Sequence, residues 1–224
     1  MRILLVSATE SEIRNSLRAF APSGERRFLK GNYKDHTVEV LFTGVGMFAM
    51  AYHLGRTLAL NSYDLVINAG IAGSFKKEYA IGSVVNVVKE VFSEFGAEDR
   101  ERFIPMKNLE VPESLNYPFE EEWLINKTEL KVPSIEKLAK VKGLTVNTVH
   151  GNEDSIKKVV KLYNPDVESM EGASFLYACL NKGIPCLQIR AISNFVTVRN
   201  KEEWKIPLAL DHLNVALIKL LDEV

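Results

Sequence analysis

Basic surplus, paired cysteines, long apolar runs and metal-spaced histidines are all missing from this sequence, and each absence removes a class of function. Lys and Arg number 28 against 29 Asp and Glu, so there is no electrostatic footprint for nucleic acid or an anionic membrane. Charge runs such as "GERRFLK" and "IKKVVK" lie in turn-like or amphipathic stretches and read as solvated faces. Two cysteines, Cys179 and Cys186, fit a reduced intracellular protein better than a disulfide framework. No apolar run approaches the roughly 20 residues of a membrane span. The opening "MRILLVSATESE" has too short an apolar core for a signal peptide and meets acids at once. His36, His53, His150 and His212 are scattered without metal-ligand spacing and read as surface or structural residues. No G-x-S-x-G, Cys–His or paired-Cys signature is present. A cytoplasmic soluble protein is expected, with neither nucleic acid nor membrane as partner.

What is present is an alternation. Apolar runs of strand length recur at 2–6, 38–43, 64–70, 82–88, 144–149 and 185–192, several of them β-branched and nearly continuous. Between them, helical periodicity occupies 10–20, 47–60, 154–163, 171–182 and 207–222. This predicts an α/β fold: a single-domain three-layer sandwich over 1–224, its central mixed, mostly parallel sheet flanked by helices. "NKGIPC" reads as a helix stop, Gly183 and Pro185 leading into the next strand. The segment 98–134 carries Pro105, Pro112, Pro118 and Pro133 without sustained period, and is expected to be a functional loop or lid.

Several strand exits carry small or acidic residues. "TGVGMFAM" (43–50) invites a dinucleotide-binding reading through Gly44 and Gly46. Against it, the third glycine is Ala49, and the next acid, Asp64, starts its strand rather than ending it. "NAGIAGSF" (68–75) is a second small-residue turn after a strand; alone it reads as tight strand–helix packing. Two such turns at successive strand exits would line one crevice at the carboxyl edge of an open sheet. In "SATESEI" (7–13), Glu10 and Glu12 suit a helix first turn, but Glu12 could also reach the crevice as a general base. "ESMEGASFLYACL" (168–180) sets two acids at another helix start, where a carboxylate could clamp a vicinal diol.

Taken in order, an acid-bearing first turn, G-V-G, N-A-G-x-A-G, M-E-G-A and R-A-I-S-N resemble the purine nucleoside phosphorylase/nucleosidase superfamily over nearly the whole chain. "NAGIAGSF", "FGAED" and "IRAISNFVTVRNKEEWKIPLA" are most similar to its futalosine hydrolase branch, which serves menaquinone synthesis. The resemblance implies cleavage of a nucleoside's C1′–N9 bond through an oxocarbenium-like state. Glu12 would activate water and Glu171 would accept hydrogen bonds from the ribose hydroxyls, with Met170 on the sugar face. Asn194 would meet the N7 edge of the purine. Gly44, Val45, Gly46, Ala72, Gly73, Ser169, Ser193 and Phe195 complete the substrate-binding set so implied. The arginines of family phosphorylases have no counterpart in "VINAG" or "SATESE", which favours hydrolysis. Methylthioadenosine nucleosidases carry Asp where this chain has Asn194; an amide can donate to O6 and accept from N7–H, which points to a 6-oxopurine such as the hypoxanthine of futalosine. Their serine in the second glycine turn is Ile71 here, and their second acid before M-E is Ser169. Their base-stacking aromatic is not evident in "HGNEDSI", which leaves Phe195 or Phe92 for that job, while Glu153 or Asp154 is either an acceptor for N1–H or simply a helix-start acid. No metal or organic cofactor is implied, and family habit implies a homodimer. Competing expectations are methylthioadenosine/S-adenosylhomocysteine hydrolysis, 6-oxopurine nucleoside phosphorolysis, and a catalytically idle nucleoside-binding protein.

Overall fold

The computed structural model describes residues 1–110, 112 and 117–224. Strand β1 (Arg2–Ser7) shows why the apolar runs are nearly continuous. Alternate residues of a strand face opposite sides of its sheet. Here Ile3 and Leu5 enter one core while Leu4 and Val6 enter another. Both sides of the sheet are covered, so polar alternation is absent.

The middle of the sheet is parallel. β1 pairs with β4 (His36–Phe42) on one side and β5 (Leu65–Ser74) on the other, and β5 pairs with β12 (Cys186–Phe195). Beyond it, β6 (Val84–Phe92) runs antiparallel to β12 and parallel to β10 (Ala139–Thr145), which carries the short β11 (Val167–Ser169). β11 then turns back onto the end of β5, Glu168 opposite Gly73, and closes this half on itself. The far edge is antiparallel: β3 (Phe28–Tyr33) beside β4, and β2 (Ser23–Glu25) beside β3.

Helices α1 (Glu10–Phe20), α3 (Pro133–Glu136) and α6 (Ile206–Glu223) cover one face, and α2 (Met47–Leu60) and α5 (Gly172–Lys182) the other. α4 (Glu153–Tyr163) lays Val159 and Tyr163 against Val91, Leu144 and Val146. The five expected helices therefore begin and end within one residue of the expected bounds, and α3 was not expected. Their punctuation explains that accuracy. Asn152 caps α4 by accepting from the backbone N–H groups of Asp154 and Ser155 at 3.0 and 3.2 Å. Gly183 ends α5 in the left-handed region at φ 65°.

Two expectations shift. The strand expected at 144–149 lies at Ala139–Thr145, because "AKVKGLT" hides its period behind Lys140 and Lys142 while the more apolar residues after it have left the ladder. Segment 98–134 is not structureless where described. It holds most of a hairpin of β7 (Gly96–Asp99) and β8 (Arg102–Pro105), a 3-10 turn at Met106–Asn108, β9 (Leu124–Ile125) on the edge of β6, and the start of α3. Residues 111 and 113–116 of that segment lie outside the described residues. No helix among the described residues is long and apolar enough to cross a membrane.

Candidate active site

The exits of β1, β5, β11 and β12 open into one cleft of about 290 Å³, at the carboxyl edge expected for a ligand in an α/β sheet. Its walls include Glu12 after β1, Val45 between β4 and α2, Ile71, Ala72 and Gly73 on β5, and Ser169, Met170 and Glu171 at the α5 start. Ser193 and Asn194 at the end of β12 complete it. The two glycine turns, the M-E-G-A helix start and the R-A-I-S-N strand end, far apart in sequence, thus meet at one place.

Glu12 is held on several sides. Its Oε2 accepts from Ser7 Oγ and from the backbone N–H of Thr9, each at 3.0 Å, and its Oε1 faces the N–H of Ile71 at 3.4 Å. The Thr9 contact is the reach-back of a third-position acid to its own helix cap. The two sequence readings of Glu12, helix-start acid and crevice carboxylate, are thus one geometry. Glu10 keeps only the first: it is exposed and pairs with Arg14 one turn on.

Glu171 comes from the opposite side and is only 7% exposed. Its Oε1 accepts from the backbone N–H of Gly46 at 2.8 Å. That donor is available because Gly44 and Gly46 adopt φ of 88° and 99°, a turn other residues strain to make. The glycines of "TGVGM" therefore aim an amide at a carboxylate, and no phosphate-binding role is needed to explain them. Burial raises the Glu171 pKa above the usual carboxylate range; Arg190 and the Gly46 N–H oppose that rise, and Glu12 adds to it.

Arg190 had no place among the sequence expectations. It is 2% exposed on β12, and neither Nε nor Nη2 has a hydrogen-bond partner among the described residues. A Cβ on Gly70 would collide with its guanidinium and would stand 2.9 Å from Glu12 Oε1, so both charged groups converge over that glycine. The signal was the glycine of "NAG" in register with an arginine inside an apolar strand.

Asn194 is anchored by its own neighbours. Its Nδ2 donates to the Phe195 carbonyl at 3.0 Å, which fixes the amide's orientation, and its Oδ1 accepts from Ser193 Oγ at 2.8 Å. One N–H and one lone pair remain. Gly73 lies opposite Asn194 in the ladder, and the space a side chain would need there is taken by Val196 Cγ2 at 2.9 Å and by the amide nitrogen itself at 3.2 Å.

Other expected residues are placed differently. The Phe195 ring does not line the cleft, and Phe92 packs with Phe95 and Phe119 away from it, so neither wall of the cleft is the aromatic that the sequence suggested. Val149, Met170, Ile206 and Leu210 supply apolar surface instead, with Trp204 under the Arg199 guanidinium at 5.1 Å. Gly44 also lies behind the lining. Glu153 and Asp154 are exposed in the first turn of α4, where Glu153 pairs with Lys157, and they are helix-start acids only. No described residue of 98–134 lines the cleft. His150, read from sequence as surface or structural, does line it, its Nδ1 bound to Glu168. Among the described residues, no Lys or Arg lines the cleft, and no group of three or more His, Cys, Asp or Glu is gathered as a metal ion requires.

The description "Phosphorylase superfamily" matches residues 2–223. A protein named futalosine hydrolase from Streptomyces coelicolor is 31% identical over 166 residues, 70% of this chain and 65% of that protein; the chain thus spans just under two thirds of that relative's length. A 5'-methylthioadenosine/S-adenosylhomocysteine nucleosidase from Shewanella baltica is 26% identical over 207 residues, 87% of this chain and 84% of that one. In structure, futalosine hydrolase of Helicobacter pylori covers the whole chain and 98% of its own, with a TM-score of 0.81 at 18% identity, a likeness of fold.

Proposed function

We propose, from the premise that the chain belongs to the phosphorylase superfamily, that it hydrolyses the N-glycosidic bond of a 6-oxopurine nucleoside. Futalosine is the proposed substrate, giving hypoxanthine and dehypoxanthine futalosine, in a cytoplasmic homodimer. The observation that carries hydrolysis over phosphorolysis is the charge of the cleft. Among the described residues its lining holds Glu12, Glu168 and Glu171 and no Lys or Arg. Phosphate needs a cationic, donor-rich pocket. Arg27, beside the first glycine turn, donates to the carbonyls of Phe42 and Thr43 instead. A water molecule, by contrast, gains from a carboxylate that can take its proton.

In this reading Glu12 is the general base. Water adds to C1′ as the C1′–N9 electron pair leaves with the base, and the water's proton goes to Glu12. Glu171 accepts from the ribose hydroxyls and, ionised, supports positive charge on the sugar. The Gly46 amide keeps that carboxylate in place. Asn194 directs its remaining N–H to O6, and its remaining lone pair faces N7–H once solvent has protonated N7 of the departing base; in that order of donor and acceptor a 6-aminopurine, which offers N–H at position 6, does not match. Methylthioadenosine/S-adenosylhomocysteine hydrolysis is the second reading, favoured by the Shewanella relative and opposed by the amide at 194.

The test is to incubate the protein with futalosine, inosine or methylthioadenosine, with and without phosphate, and to measure free base. Hypoxanthine from futalosine without phosphate is the expected result. Adenine release alone overturns the substrate, and dependence on phosphate overturns hydrolysis.

A further inference from the structure

His150 is the one cation-capable side chain among the described lining residues of the cleft. It is clamped by a single partner at two points: Glu168 accepts from its backbone N–H at 2.9 Å through Oε1 and binds its ring Nδ1 through Oε2. Both carboxylate oxygens are therefore used, and the ring's other nitrogen, Nε2, has no partner among the described residues. A carboxylate on Nδ1 fixes a histidine's tautomer and orientation and favours its charged form.

The ladder sets where this pair lies relative to the base reader. Glu168 of β11 is opposite Gly73 of β5, and Gly73 is opposite Asn194 of β12. The pair and the amide thus stand on either side of Gly73, about 10 Å apart at the Cα atoms by two strand spacings. His150, Glu168 and Asn194 all line the one cleft, so a base held there meets the amide from one strand and the imidazole from another. Charge divides along the same line. The carboxylates of Glu12 and Glu171 belong with the sugar, where positive charge develops. The departing base takes the C1′–N9 electron pair and becomes negative, and an anchored amide offers it no cation.

We propose that the His150 imidazolium, held by Glu168, donates its Nε2–H to N3, on the purine edge away from O6 and N7, and stabilises the negative charge forming on the base. This rests on the nucleosidase reading above. No proton need leave His150: the electron pair goes to the base, the water's proton goes to Glu12, and solvent protonates N7 of the departing base, giving the N7–H from which Asn194 accepts. N3 is an acceptor in hypoxanthine and adenine nucleosides alike, so the role does not depend on which is cleaved.

The groups around the ring support the charged form. The hydrogen bond to Glu168 is the largest influence and raises the imidazole pKa, burial opposes it, and Glu94 after β6 adds to the rise. Across an adjoining groove lie Lys158 and Lys161 of α4, with Glu98, Arg100, Glu101 and Arg102 of the β7–β8 hairpin, whose two acids and two arginines balance.

The test uses whichever nucleoside the wild type cleaves, so a wrong substrate shows in the wild type and a wrong role for His150 in the variant-to-wild-type ratio. kcat should fall as pH rises through the raised His150 pKa. His150→Gln should lower kcat about a hundredfold, the scale of one charge-stabilising donor, with KM little changed. Glu168→Gln should move the alkaline limb of kcat to lower pH, which a purely structural contact would not do. Should either variant fail to fold, nitrogen-15 NMR of the wild-type histidines should show the His150 Nε2 resonance move when hypoxanthine binds. Wild-type kcat in His150→Gln, an unmoved limb in Glu168→Gln, or an Nε2 resonance indifferent to hypoxanthine overturns the proposal. A wild type that cleaves no nucleoside overturns both it and the reading beneath it.

Discussion

Asn194 shows how little of a site residue's job lies in its own side chain. Its Nδ2 and Oδ1 each hold one contact within the protein, to the Phe195 carbonyl and to Ser193 Oγ, so the amide presents one donor and one acceptor in a fixed order. Asn194→Asp removes the donor and sets a carboxylate against the Phe195 carbonyl. The expected result is a shift in the 6-oxo to 6-amino kcat/KM ratio of at least about tenfold towards aminopurines, read from base release on futalosine and methylthioadenosine. An unchanged ratio would mean that the base edge is read elsewhere. Glu12→Gln keeps the shape of the helix start and loses the proton acceptor. Nucleoside binding should persist while turnover falls by about two orders of magnitude or more, and wild-type rates would remove Glu12 from the mechanism. The place of both residues in the cleft was legible from sequence, because each sits in a short motif at a strand exit. His150 and Arg190 were not. Their meaning comes from Glu168 and from Gly70, partners 18 and 120 positions away.

At the scale of elements, the join of β6, β10 and α5 is held by one buried carboxylate. Glu90 on β6 is 1% exposed, and its carboxylate occupies the space that side chains on Gly143 and Gly172 would need. It accepts from Thr145 Oγ1 at 2.9 Å and from Gln188 Nε2 at 2.6 Å, while Thr145 Oγ1 in turn accepts from the Ala173 N–H at the α5 start. The network therefore holds the helix that carries Glu171. Burial pushes the Glu90 pKa up from 4.5 to about 7, against its hydrogen bonds and Arg190, with Glu171 adding to the rise. A carboxyl with a raised folded-state pKa binds its proton more tightly in the native state, so stability falls as pH rises across that window. The size is about 3 kcal/mol from a shift of this kind. Glu90→Gln should flatten the decline of the urea midpoint between about pH 5 and 7; an unaltered slope would show that Glu90 is ionised throughout. Element bounds were readable where caps and glycine stops marked them. β10 was misplaced because lysines broke its pattern, and β11 was missed because it has three residues.

For the molecule as a whole, the remaining question is what covers its exposed apolar surface. Val45, Phe48 and Tyr52, at the start of α2 and just before it, are 61%, 78% and 63% exposed, and Val45 also lines the cleft. Exposed apolar groups clustered beside a site mark an interaction surface more often than chance, and a second copy of this chain is the proposed occupant. Sedimentation should give a dimer for the wild type and a monomer for Phe48→Glu. A monomeric wild type would remove the dimer from the proposed function.

While Asn194 was singled out through the family resemblance, the sequence by itself determined the layered α/β class, the bounds of the main helices and the place of Glu12 and Glu171 at strand exits. These depend on local causes: periodicity, capping and small residues at strand exits. Only the tertiary structure decided what surrounds them. It put Arg190 over Gly70, set Glu168 and Asn194 on either side of Gly73, and brought His150 into the cleft. Those are relations between strands distant in the chain, and register between such strands is fixed by packing of the whole sheet, which no local pattern records.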